Sequence, residues 1–354
     1  MAHNVTEEKM KDYKALQNGS DIRGTAIERK GGKPVDLTDE AASDLASGFV
    51  SWLSEKTGKP AGSLGVAVGR DSRISGPHIQ KVFCEALAGT GAAVLDCGMA
   101  TTPAMFMATV NDEISPDGAV MITASHLPYE RNGFKFFTKD GGLDKKDIAR
   151  IISFAEAKVS GAENCCFNIF RINLMEYYCR HLRGIICRAL GAAEEDRPLS
   201  DLHIVVDAGN GAGGFYAADV LAPLGADISG SQFLEPDGMF PNHQPNPENP
   251  EAMESVSDAV KAAKADLGII FDTDVDRSAA VDEQGREIGR NRIVALAAIL
   301  ASEGHPGTTV VTDSITSTQL GKFLTEDLGL KHLRFKRGYK NVINKGLELN
   351  AAGT

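Results

Sequence analysis

Three aspartates at alternate positions, Asp272, Asp274 and Asp276, follow directly on the apolar run Leu267–Phe271. If the chain stays extended there, alternate side chains share a face and three carboxylates can converge on one cation. All-oxygen donors suit Mg²⁺ or Ca²⁺, and Mg²⁺ commonly completes its shell with phosphate or water oxygens. Clustered carboxylates without a counter-charge repel one another, so a merely solvated acidic loop is the poorer reading. A second segment offers a nucleophile. A buried strand at 119–122 runs into a small-residue turn holding Thr123, Ser125 and His126. The chain returns through Asn132-Gly133, a tight-turn signal, into Phe134-Lys135-Phe136. The carboxyl end of a strand in an α/β sheet is where ligands bind, which sets Ser125 at a rim with His126 and Lys135 near it. Taken alone, a Thr-Ala-Ser-His turn is more often structural than chemical.

Two other readings compete for these residues, and a third motif elsewhere is a decoy. An EF-hand loop would use Asp272, Asp274, Asp276 and Glu283, but Arg277 stands where its sharp turn requires glycine. A haloacid-dehalogenase-type phosphatase also has a strand followed by Asp-x-Asp. It continues with Thr or Val two residues on, where this chain has Asp276. Gly209-Asn-Gly-Ala-Gly-Gly214 satisfies the dinucleotide pattern GxGxxG. However, Asp227 lies inside the next predicted strand rather than at its end, so a tight strand-to-helix turn is the better reading.

The elements that must position these groups recur along the chain. An apolar strand, a polar turn, an amphipathic helix and a second strand appear at 64–95, at 202–228 and at 308–330. The closing strands are predicted at 93–95, 226–228 and 328–330. Such units imply parallel strands with right-handed crossovers. Thr38 can cap an additional helix that buries Leu45, Phe49, Trp52 and Leu53. A linker is expected at 155–164, a helix at 174–190, a strand at 286–288, and entry into a third domain at 286–292. The expected class is α/β: tandem similar α/β/α domains with mixed, largely parallel sheets. The expected domains are 1–158 with the serine loop, 159–289 with the carboxylate loop, and a partial third domain at 290–354, with no fourth.

Composition narrows the partners. The formal charge is −11, from 37 Lys+Arg against 48 Asp+Glu, which argues against a nucleic-acid partner bound through a basic surface. No apolar run approaches the ~18 residues of a membrane span, and the start carries no signal or transit pattern, so no membrane partner and a cytoplasmic location are expected. The six cysteines, Cys84, Cys97, Cys165, Cys166, Cys179 and Cys187, show no CxxC spacing and read as buried reduced thiols. Nothing in the sequence fixes an oligomeric state.

Taken in order, the segments resemble the α-D-phosphohexomutase superfamily, the phosphoglucomutase and phosphomannomutase enzymes. The resemblance rests on Asn18-Gly-Ser-Asp-Ile-Arg-Gly24, Gly69-Arg-Asp-Ser-Arg-Ile-Ser75 and Thr102-Pro103. It continues through Thr123-Ala-Ser-His-Leu-Pro128, Asp207 to Gly211, Pro236-Asp-Gly-Met-Phe-Pro241 with Pro245-Asn-Pro247, Asp272 to Arg277, and Gly338-Tyr-Lys340. It implies a phosphoserine enzyme that interconverts hexose 1-phosphate and hexose 6-phosphate. Phospho-Ser125 would pass its phosphate to a hexose monophosphate and recover the other phosphate from the hexose 1,6-bisphosphate, which serves as intermediate and activator. The resemblance further implies one Mg²⁺ per chain, held by Asp272, Asp274, Asp276 and an oxygen on Ser125. Arg23 and Arg277 would be fixed positive charges, Lys135 the proton-transfer residue, His126 a supporting group, and Gly338, Tyr339 and Lys340 substrate-binding.

Two departures from the family pattern bear on these expectations. Leu127 stands where the family has Asn before the loop proline. The later loops that recognise the sugar and grip its remote phosphate do not occur among these residues, so an N-terminal fragment of weak turnover is expected. A non-catalytic sugar-phosphate-binding or regulatory protein of the same fold is the alternative.

Overall fold

Valine, isoleucine and alanine crowd the central strands of the first sheet because both of its faces are covered. In this computed structural model, which describes residues 12–157 and 168–353, the first layer of elements comes in chain order. The strands are β1 (Gln17–Asn18), β2 (Asp21–Thr25), β3 (Gly65–Arg70), β4 (Ala93–Met99), β5 (Gly118–Ile122), β6 (Arg131–Thr138), β7 (Gly141–Gly142) and β8 (Ile169–Arg171). Among them run helices α1 (Asp39–Thr57), α2 (Gly76–Gly89), α3 (Thr102–Val110) and α4 (Lys145–Glu156), followed by α5 (Leu174–Leu190). The sheet order is β1-β2-β6-β5-β3-β4-β8, with β7 beside β6. Strands β5, β3, β4 and β8 are parallel, and the remaining pairs are antiparallel. The period-two alternation of a strand divides the side chains between two cores. Val66, Val68, Val120 and Ile122 pack with Phe49, Phe83 and Ile151 of α1, α2 and α4. Ala67, Ala119 and Met121 face Ala104, Met105 and Leu174 of α3 and α5.

A second, three-stranded sheet orders β11 (Ser278–Asp282), β10 (Leu267–Phe271) and β9 (Ile204–Asp207). Beta-9 and β10 are parallel, whereas β10 and β11 form a hairpin. One face packs on α6 (Pro250–Ala263) through Val256 and Val260. The other covers Ile204, Val206 and Phe271 with Leu221 and with Cys187 of α5. Helix α5 thus contributes to cores on both sheets and ties them together. The chain divides into two compact units between Gly285 and Arg286, and both of these sheets belong to the first. The second unit holds α7 (Arg290–Ser302), β12 (Thr309–Thr312), α8 (Thr318–Lys322), β13 (Lys331–Arg334) and α9 (Tyr339–Ala351). Its two strands are parallel.

The helix at 174–190 and the Thr38 cap fall where expected: the Thr38 hydroxyl accepts from Ala41 N at 3.1 Å. Several other expectations change. Residues 226–228 form no continuous strand. The chain makes two isolated bridges, Asp227 to His203 just before β9 and Gln232 to Asp207 at its end, with a Ser229-Gly230 turn between. Leu328 and Leu330 pack beneath a wide helical turn at Phe323–Asp327 rather than opening a strand. Gly329 has a left-handed φ of 63° and Leu330 N bonds Leu324 O, the hydrophobic closure of a helix C-terminus. The strand begins only at Lys331. At 286–288 the expected strand reduces to one bridging residue, Glu287. Asn132-Gly133 is not a turn but part of β6, and the turn lies earlier, at 125–130. Gly133 faces Arg23 across the β2 pairing, where a Cβ would strike the Ile22 carbonyl, so glycine serves close strand approach. The expected linker begins later than 155, because α4 runs to Glu156. The rest of it, with Cys165 and Cys166, lies outside the described residues. The other four cysteines are free and buried.

Candidate phosphoryl-transfer site

Strands β3, β5 and β10 end at one place. Beyond β5, the backbone turns at Ser125 with φ 52°, a left-handed conformation uncommon for a residue with a side chain. The Thr123 hydroxyl accepts from Ser125 N at 2.8 Å, which fixes the turn from within. Beyond β10, residues 272–277 form the loop of the β10–β11 hairpin. They are not extended: Asp272 N bonds Arg277 O, Val275 N bonds Asp272 O, and Val275 has φ 64°. The three carboxylates therefore converge because the loop is curled, not because alternate residues share a strand face. Their oxygens lie within 4.8 Å of one another.

The serine and the carboxylates meet. The Ser125 hydroxyl donates to Asp272 Oδ2 at 3.0 Å and lies 3.3 Å from His126 Nδ1. Asp272 Oδ1 accepts from Arg277 N at 3.1 Å. Lys135 reaches in from β6 and its Nζ donates to Asp274 Oδ2 and Asp276 Oδ2, each at 2.6 Å. Thr102, at the start of α3, donates its hydroxyl to Asp274 Oδ2 at 2.5 Å. Arg23 on β2 donates to Thr123 O at 3.0 Å and pairs with Asp21 at 2.8 Å. Gly338 precedes α9, and Tyr339 and Lys340 open it, in the second unit.

Charge is tightly balanced here. Burial, then Asp274 and Asp276, push the Asp272 carboxyl well above the usual carboxylate range. Burial also pushes Asp274 up, but Lys135 and Thr102 more than reverse it and hold it low. Burial draws the Lys135 ammonium down, and the two facing carboxylates outweigh that and raise it. His126 is lowered by burial and by the neighbouring Arg277 and Arg23.

These residues suit a hard divalent cation. Asp274 is fully buried and its Oδ1 has no hydrogen-bond partner, an orphaned anionic oxygen beside two further carboxylates and a serine hydroxyl. An all-oxygen donor set of this charge is what Mg²⁺ takes.

Sequence reasoning assigned no role to several residues that build this site. Arg73 and Asp71 lie just beyond β3, wholly buried, and pair at 3.3 Å. Asp207 and His243 form a second buried pair at 3.0 Å, and the neighbouring Gln244 donates to His126 O at 2.7 Å. The available signal was the position of Arg-Asp-Ser-Arg at the carboxyl end of a parallel strand, the edge where α/β sheets bind ligands.

Comparison with known proteins agrees with the geometry. The family profile "Phosphoglucomutase/phosphomannomutase, alpha/beta/alpha domain I" matches residues 14–162, and the corresponding domain II profile matches 176–285. A phosphoglucomutase of Neisseria gonorrhoeae is 32% identical over 293 residues, 83% of this chain and 60% of that protein. A phosphoglucomutase/phosphomannomutase of Thermococcus kodakarensis is 32% identical over 333 residues, 93% of this chain and 68% of that one. The crystal structure of a Burkholderia thailandensis phosphoglucomutase/phosphomannomutase family protein, 26% identical, superposes with a TM-score of 0.77. That match covers 95% of this chain and 68% of the other. The chain thus spans about three-fifths of the length of the first curated relatives it matches. With both domain profiles matched across most of its length, the chain belongs to the phosphoglucomutase/phosphomannomutase family of the α-D-phosphohexomutase superfamily.

Proposed function

We propose that this chain carries the phosphoryl-transfer centre of a phosphohexomutase acting in the cytoplasm on hexose 1- and 6-phosphates. The observation that carries the reading is the 3.0 Å bond from the Ser125 hydroxyl to Asp272, which joins a nucleophile on one sheet to a cation-binding carboxylate cluster on the other. In the first half-reaction a hydroxyl oxygen of the hexose monophosphate attacks the phosphorus of phospho-Ser125. The bond from phosphorus to Oγ breaks, and the hexose bisphosphate results. In the second, Ser125 Oγ attacks the phosphorus of the other phosphate, the bond from that phosphorus to its sugar oxygen breaks, and the isomeric monophosphate leaves.

Asp272, Asp274 and Asp276 would hold Mg²⁺ with the Ser125 oxygen, and the bound ion supplies positive charge beside the transferring phosphoryl group. Lys135, held as an ammonium by Asp274 and Asp276, gives a proton at Nζ to the departing oxygen and is restored by the proton of the attacking hydroxyl. His126 orients the Ser125 hydroxyl through Nδ1. Arg23 and Arg277 are fixed positive charges at the rim of the serine turn, where the phosphate's negative charge needs them. We assign Gly338, Tyr339 and Lys340 to the sugar side of the substrate.

Incubation with glucose 1,6-bisphosphate and Mg²⁺, followed by mass spectrometry of the Ser125 peptide, tests the reading. One added phosphoryl group on Ser125, absent from Ser125→Ala, is expected. An unmodified peptide would instead favour a binding or regulatory protein of the same fold.

A further inference from the structure

A buried guanidinium must find partners for its charge and its five N–H groups. Arg73, the largest fully buried side chain among the described residues, finds nearly all of them in the serine loop. One terminal nitrogen donates to Pro128 O at 2.8 Å and Arg131 O at 3.0 Å. The other donates to Leu127 O at 2.6 Å and to Ser125 O. Asp71 balances the charge at 3.3 Å. Four carbonyls between 125 and 131 therefore converge on one planar fork.

The second sheet's side of the molecule closes over this fork. The Phe240 ring lies 5.4 Å from the guanidinium carbon, in cation–π range. Gly238 presses so closely on the 72–74 backbone that it has no room for a Cβ. The carbonyl of His126, between two that Arg73 holds, accepts from Gln244 at 2.7 Å. Gln244 follows His243, which is anchored on buried Asp207. The carbonyls of Ser125, His126, Leu127 and Pro128 are thus all held from outside the loop. Within the loop, the Thr123 hydroxyl holds Ser125 N, and Leu127 contributes only its backbone to this bonding.

Resting on the reading of Ser125 as nucleophile, we propose that Arg73, assisted by Gln244, is a positioning residue that holds Ser125 in its left-handed conformation and aims Oγ at Asp272. A left-handed residue with a side chain persists only where its surroundings over-determine it, and here Arg73 and Gln244 hold the carbonyls from outside while Thr123 holds Ser125 N from within. Lysine has a single charged point in place of the fork and cannot span the four carbonyls.

The test compares wild type, Arg73→Lys, Arg73→Met and Gln244→Met by the single-turnover rate of phosphate uptake from glucose 1,6-bisphosphate and by hydrogen exchange of amides 123–131. Misplacing a reacting atom by ~1 Å costs about 100-fold. Arg73→Lys should lose at least about that factor in rate at saturating bisphosphate, Arg73→Met more, with the half-saturating concentration shifted less than about threefold. Exchange should quicken in 123–131 while the sheets stay protected. Gln244 is exposed, so Gln244→Met keeps the fold; a loss of about tenfold in rate is expected, and this decides the matter if the Arg73 variants do not fold. Wild-type rate and wild-type exchange in folded Arg73→Lys, or in Gln244→Met where the former cannot be made, would overturn the positioning role and leave the function intact. If wild type takes up no phosphate while the variants still loosen the loop, the proposed function fails and the loop-holding role stands.

Discussion

At the scale of residues, Asp274 carries the sharpest conflict in the site. It is fully buried, one oxygen is shared between Lys135 and Thr102, and the other has no partner. Asparagine in its place removes a charge from the cluster and puts an amide where an anionic ligand is needed. Asp274→Asn should therefore weaken Mg²⁺ binding by at least about 100-fold, measured by titration calorimetry, since losing a mere supporting partner already costs 10- to 100-fold. The buried His243–Asp207 pair makes a separate prediction. Burial pulls the His243 ring down, but its bond and charge interaction with Asp207 outweigh that, with Glu251 adding to the upward shift, so its folded value is raised. The folded chain then holds the proton more tightly than the unfolded one. The pair's contribution is full below the unfolded value of about 6.5 and is lost as pH rises through the folded value. Urea denaturation across this range should show wild type losing stability with rising pH relative to His243→Gln. Equal pH dependence in the two would contradict the pairing. The clustering of the aspartates was legible from their type and closeness, though the curled loop that gathers them was not, and Ser125 stood out only through the ordered resemblance of its loop. Arg73 and Gln244 were not legible, because what they hold is backbone carbonyls some fifty to over a hundred positions away.

At the scale of elements, strand alternation and caps give the sheets their faces, while glycine decides how closely strands approach. Gly133 is the case to test: alanine there drives a methyl into the Ile22 carbonyl across the β2–β6 pairing. Gly133→Ala should cost about 3 kcal/mol or more, the upper end of overpacking. Thr38→Ala, which removes only the cap of α1, should cost about 1 kcal/mol. Thermal or urea denaturation measures both, and a neutral Gly133→Ala would refute the close-approach reading. This same glycine explains one error of pattern reading. Asn-Gly is a turn signal locally, yet β2 lies beside it through pairing that no local window contains. The short closing strand at 226–228 failed for a similar reason. One bridge at Asp227 and another at Gln232 replace a ladder, and the intervening Ser229-Gly230 turn interrupts the pairing. Long periodic elements such as α1 and α5 were legible because their apolar stripes need only some packed surface, whatever it is.

At the scale of the molecule, the serine turn and the carboxylate loop belong to different sheets, and α5, Arg73 and the 236–244 segment join the two. If these loops form one centre, a phosphate oxygen on Ser125 and the three carboxylates bind the same metal ion. Loading the Ser125-phosphorylated chain with Mn²⁺ in place of Mg²⁺ and recording pulsed electron–nuclear double resonance tests this directly. A phosphorus-31 coupling of the size of a directly bound phosphate oxygen is expected, with Mn²⁺ binding itself lost in Asp274→Asn. Tightly bound Mn²⁺ with no phosphorus coupling, or binding indifferent to Asp274, would contradict a single centre.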